Sequence, residues 1–120
     1  MKIVLDTSFI LSCVKEKVDF LDVDGKLLIP KQVILELEKI SKEGEREERE
    51  NASLALQIID KNKEKVSVIC LEKNNVDLGI IEYANGKNIA VATMDNELKR
   101  RLKNIARIVT LKKRKKIEVV

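Results

Sequence analysis

Short runs of aliphatic residues alternating with helically spaced segments leave this chain little choice of architecture. The runs are Ile3-Val4-Leu5, Lys26-Leu27-Leu28-Ile29, Val66-Ser67-Val68-Ile69, Ile89-Ala90-Val91-Ala92-Thr93 and Ala106 to Leu111. Between them, apolar residues recur at intervals of three and four: Phe9, Ile10, Cys13 and Val14; Val33 to Ile40; Ala52 to Ile59; Ile80, Ile81 and Ala84. Asp95 to Lys103 reads as a fifth helix. Strands separated by helices are joined by crossovers rather than hairpins, so they form a parallel sheet that needs cover on both faces. Pro30 stops the second strand and sits near the start of the next helix, where its missing N–H costs little. Ser41 to Glu50 is polar and contains Gly44, which leaves a loop and a charged helix extension both open.

At 120 residues the chain is one domain, without repeat or linker. Residues 1–111 carry the alternating pattern. Residues 112–120 fall outside it as a basic C-terminal tail, either a terminal strand through Ile117, Val119 and Val120 or a mobile end. No apolar run approaches the ~18 residues of a membrane span. Asp6 stands where a secretion signal would be apolar. Cys13 and Cys70 lack metal-ligand spacing and read as small buried residues. The expectation is a cytoplasmic protein with no membrane partner.

Two absences narrow the chemistry. Histidine is missing, which excludes imidazole acid–base catalysis and His-ligated zinc. Phe9, Phe20 and Tyr83 are the only aromatics, too few for a base-stacking platform. With four glycines there is also no phosphate-cradling loop of the dinucleotide or P-loop type. Carboxylates, hydroxyls, lysines and a metal are what remain. The net charge of +4 conceals an asymmetry, because Lys99 to Lys116 holds ten basic residues and no acidic one. Such a segment attracts polyanions when it is more than a solvated surface.

Four acids stand out by position. Asp6 follows the first strand directly and Asp95 follows the fourth by one residue. In open parallel sheets ligands bind beyond the carboxyl ends of the strands; both residues also suit helix N-caps. Glu36 lies ~40° from Ile40 and ~60° from Val33 on the helical wheel, bordering the expected buried face, where an acid needs a salt bridge or a metal. Asp77 opens the helix before the fourth strand, as a cap or as a further ligand. Four converging carboxylates without basic neighbours repel one another, and a hard divalent cation, Mg²⁺ or Mn²⁺, relieves that repulsion. Metal-bound water then suits phosphodiester hydrolysis without histidine.

These residues resemble the PIN-domain family of nucleases. Asp6-Thr7-Ser8 after an N-terminal strand is similar to the family's opening motif, and Pro30 to Leu37, containing Glu36, to its second. Asp77 with Ile80 and Ala84 resembles the third, although Asn74 and Asn75 stand where another acid is often found. Ala92-Thr93-Met94-Asp95 looks like the fourth, with Glu97 a further acid nearby. The resemblance covers residues 1–111 and implies a three-layer α/β/α sandwich with a central, mostly parallel five-stranded sheet. It implies an endoribonuclease cutting single-stranded RNA, often as a homodimer. Asp6, Glu36, Asp77 and Asp95 are its implied catalytic and metal-binding residues, with Ser8 and Thr93 as supporting hydroxyls and Mg²⁺ or Mn²⁺ as cofactor. Lys112, Lys113, Arg114, Lys115 and Lys116 are expected to grip RNA phosphate, outside the family pattern. Ribosomal-RNA maturation with a ribosome-assembly partner, RNA quality control, and a toxin held by a protein antitoxin all remain open. So does a non-catalytic PIN-type module that binds RNA or protein. A phosphoacceptor domain also places aspartates at strand ends beside Mg²⁺, but it needs an acidic pair near the N-terminus where Asp6 stands alone.

Overall fold

The computed structural model describes residues 1–112 and 116–120. The chain runs β1 (Lys2–Leu5), α1 (Thr7–Lys15), β2 (Lys26–Pro30), α2 (Lys31–Glu43), α3 (Arg46–Lys61), β3 (Val66–Ile69), α4 (Val76–Ala84), β4 (Ile89–Ala92), α5 (Asn96–Leu102), β5 (Arg107–Lys112) and β6 (Lys116–Val119). The strands form one sheet in the order β3-β2-β1-β4-β5-β6. All neighbours are parallel except β5 and β6. The expected strands and both-sided cover are therefore present, in a sheet of six strands rather than five. The additional strand pairs Ile117 with Leu111 and Val119 with Val109. It lies within the segment set apart by its basic charge.

Alternation along the strands sorts the core into two layers. Ile3, Leu5, Leu27 and Ile29 face α1, α2 and α3, where they pack with Phe9, Val33, Leu37 and Ala55. Val4, Leu28 and Val91 face α4 and α5, against Ile80, Ala84, Leu98 and Leu102. Each fully buried Leu, Ile or Phe contributes about 1.5–3 kcal/mol relative to an exposed one. The three layers hold together through these contacts, since the ion pairs of the described residues are all substantially exposed and worth little.

The polar stretch after Ile40 resolves as helix on both sides of one break. A Cβ at Gly44 would stand 2.9 Å from the Ile40 carbonyl oxygen, so glycine permits the chain to leave α2 and re-enter helix at Arg46. α3 then returns over α1 and α2, burying Ala52, Ala55 and Ile59. Cys13 is buried as expected, and burial pushes its thiol up to about 12. Cys70 is exposed, contrary to its reading as a core residue, because it follows β3 at the open edge of the sheet. Among the described residues no helix is long and apolar enough to cross a membrane.

Candidate functional site

The strand order reverses between β1 and β4, which pair in register from Lys2–Ile89 to Leu5–Ala92. The residues leaving these two strands are therefore neighbours, and the Asp6 amide donates to the Ala92 carbonyl at 3.0 Å. A sheet of this kind opens a crevice at that point because successive helices leave on opposite faces.

Asp6 is buried and both of its oxygens are engaged. Oδ1 accepts from Ser8 Oγ at 2.8 Å and from the Phe9 amide at 2.9 Å; Oδ2 accepts from the buried Thr93 hydroxyl. The two hydroxyls are themselves held by the opposite loop. Met94 N donates to Ser8 Oγ at 3.0 Å, and Asp95 N donates to Thr93 Oγ1 at 3.1 Å. Since both hydroxyl protons go to Asp6, the 3.3 Å separation between Ser8 and Thr93 is a packing contact. Burial pushes the Asp6 carboxyl up to about 6, against the opposing pull of Thr93, the Phe9 amide and Ser8; the charge of Asp77 adds to the rise.

Asp95 caps α5, accepting on Oδ1 from Glu97 N at 2.8 Å and Leu98 N at 3.2 Å. Its Oδ2 has no hydrogen-bond partner among the described residues. Capping thus occupies one oxygen of this residue and leaves the other without a bond. Asp77 occupies the first turn of α4, whose cap is Asn75, accepting from Leu78 N at 3.0 Å. Asp77 is thus released from the capping role open to it in the sequence, and its carboxyl is raised by partial burial, by Asp95 and by Glu36. Glu36 is exposed, which corrects the expectation of an acid bordering a buried face. Its field nonetheless reaches Asp77 from the other layer of helices, so α1, α2, α4 and α5 each bring one acid toward the same end of the sheet.

One further correction concerns charge. The acids have a basic neighbour, Arg101, which opposes the rise at Asp77. Glu97 is exposed and engaged elsewhere, within 2.6 Å of Arg100 and 3.2 Å of Arg101. Arg100 chiefly draws its carboxyl below the usual range. Sequence reasoning also passed over Thr7, whose buried hydroxyl has no partner among the described residues. Only its position beside Asp6 could have singled it out. Among the described residues no three His, Cys, Asp or Glu side chains stand close enough to enclose a metal ion unaided.

The donor set suits a hard cation all the same. It is entirely oxygen, and Mg²⁺ is commonly held by one or two carboxylates with retained waters and substrate phosphate rather than by a protein cage. Of the segment expected to grip RNA phosphate, Lys113, Arg114 and Lys115 lie outside the described residues. Lys112 and Lys116 face each other across β5 and β6, at the same end of the sheet as the acids. β5 is tied to the acid loop at that end, where Thr110 Oγ1 and Leu111 N each approach Met94 Sδ at 3.3 Å.

The sequence model of the PIN-like domain matches residues 3–114 of this chain. No curated protein matches it.

Proposed function

This chain belongs to the PIN-like domain family, and from that premise we propose that it is a metal-dependent endoribonuclease hydrolysing single-stranded RNA. The observation that carries the reading is that Asp6 and Asp95 follow the paired ends of β1 and β4 and are linked through the Thr93 hydroxyl. Asp77 and Glu36 are coupled to the same charge cluster.

Asp6 and Asp95 are the primary ligands in this reading, with Asp77 and Glu36 completing the negative field from opposite faces of the sheet. Bound among them, Mg²⁺ or Mn²⁺ would neutralise that field and lower the pKa of a coordinated water for attack at phosphorus. Ser8 and Thr93 hold the Asp6 carboxylate in one orientation, and the opposite loop holds those hydroxyls in turn. Asp95 keeps Oδ2 directed away from its capping bonds. Lys112 and Lys116 supply positive charge on the approach to the crevice, where a phosphodiester backbone would otherwise be repelled.

The test is incubation of the purified chain with a labelled unstructured RNA in Mn²⁺, in Mg²⁺ and in chelator, beside Asp6→Asn and Asp95→Asn. Cleavage that requires metal and is lost in both variants is the expected result. A folded protein that binds RNA and never cuts it would instead make this a binding module. A second expectation concerns affinity. Lys112→Gln with Lys116→Gln should reduce the slope of log K against log salt by about 1.4, at about 0.7 per lost phosphate contact on a single strand.

A further inference from the structure

The amino ends of the same strands carry the opposite charge. Lys2 opens β1 and Lys26 opens β2, and the two are register partners on adjacent parallel strands. Their backbones lie ~4.8 Å apart and their side chains leave the same face. Like charges so placed repel one another. Lys87, just before β4, joins them: its ammonium rests 4.4 Å over the Tyr83 ring. The three lysines, with Met1, Asn88 and Ile89, line one pocket of about 510 Å³.

No carboxylate of the described residues is within ion-pair distance of any of the three, although Lys63, Lys73, Arg46, Arg100 and Arg101 all have such partners. Asp22 and Asp24 line a different cavity with Ile3, whose side chain leaves the other face of β1. The backbone holds this concentration of charge in place. Gly25, at φ +139°, brings its Cα so close to β1 that a Cβ would stand 2.4 Å from the Met1 carbonyl oxygen. Directly after it, the Lys26 amide donates to that same oxygen at 2.8 Å.

We propose that this pocket is an anion site for a phosphate-bearing ligand, at the pole of the sheet opposite the acids. Three ammoniums without acceptors, backed by a side-chain amide, match the oxygens of phosphate, which lysine binds as a point charge. The single aromatic ring beside the pocket is already covered by Lys87, so recognition rests on phosphate rather than on a stacked base. The site does not depend on the nuclease reading, since none of its residues touches the acid crevice.

The phosphate could belong to an RNA strand or to a small free anion, and one experiment separates them. Binding of a labelled single-stranded RNA and of inorganic pyrophosphate would be measured in chelator, so that no cleavage intervenes. The wild-type chain would be compared with the triple variant Lys2→Gln, Lys26→Gln, Lys87→Gln. A control, Lys15→Gln, Lys42→Gln, Lys61→Gln, loses the same net charge at exposed positions elsewhere. If RNA phosphate occupies the pocket, the salt slope for RNA falls by about 2 in the triple variant and less in the control, at about 0.7 per contact. If a free anion does, pyrophosphate affinity falls at least tenfold in the triple variant alone while the RNA slope matches the control. Triple and control variants indistinguishable from each other in both measurements would overturn the proposal. Thermal unfolding verifies folding of each variant.

Discussion

Asp6→Asn is expected to remove metal-dependent RNA cleavage and, at the same time, to make the metal-free protein more stable at neutral pH. The first effect should be at least a hundredfold, since replacing groups that merely support a metal ligand already costs ~10–100-fold. The second follows from burial. The Asp6 carboxyl titrates near 6 in the folded chain against 3.8 for the free side chain. Between those pH values the folded state holds a proton that the unfolded state has released, so stability falls as pH rises through the window. Above it the penalty is complete, about 3 kcal/mol for about two pH units at about 1.4 kcal/mol each. Below 3.8 it is absent. Asparagine keeps a carbonyl oxygen for the Phe9 amide and Ser8 and presents an amide to Thr93, so the N-cap survives while the buried charge disappears.

Melting curves without metal at pH 7.5 and pH 4 would check this. The variant should be the more stable at pH 7.5, and the difference should shrink toward pH 4. Added Mn²⁺ should raise the melting temperature of the wild type and leave the variant unmoved. A variant less stable at both pH values would mean that the carboxylate is structural.

Thr93→Val should damage the site without touching any of the four acids. The wild-type hydroxyl gives its proton to Asp6 Oδ2 and accepts from the Asp95 amide. Valine preserves the volume but orphans both groups at once, at a cost of about 1–3 kcal/mol for a buried unsatisfied partner. It also takes away the strongest of the hydrogen bonds that hold the Asp6 carboxyl down. Metal-dependent cleavage should fall ~10–100-fold, and the pH at which Mn²⁺ begins to stabilise the protein should move upward. Thr93→Ser should restore most of both. A loss of stability with an unmoved pH midpoint would confine Thr93 to packing.

Much of this arrangement was legible in the residues, and the reasons are local. Strands buried on both faces must be apolar throughout, so Ile3-Val4-Leu5 and Ile89 to Ala92 announced themselves. A residue one step past such a strand, like Asp6, inherits its place from it. What escaped was set by tertiary neighbours. Glu36 looked half-buried because Val33, Leu37 and Ile40 defined the stripe, but Ile34, about 100° round from Val33, also packs on the core. The stripe is thereby drawn away from Glu36, which stays in solvent. Asn75 and Asp77 are both plausible caps by type, and only the hydrogen bond to Leu78 separates them. The exposure of Cys70 depends on β3 lying at an edge, and strand order is not written in the strand itself. For the sixth strand the alternation of Ile117 and Val119 left a terminal strand and a mobile end both open, and only its pairing with β5 decides for the strand.

The hydrogen bond between Thr93 and Asp6 spans 87 positions of the chain, and that separation has a consequence for synthesis. Contacts so distant in sequence form late, after the entropy of closing a long loop has been overcome. While the chain grows from the ribosome, β1, β2 and β3 emerge well before β4, so β1 spends that interval as an open sheet edge. Asp6 then remains in water, uncoupled from Asp95. The centre is assembled only when nearly the whole domain is free of the exit tunnel. The hydrogen bonds that join the two acid-bearing loops are made only once β4 and the Thr93 that follows it have left the tunnel.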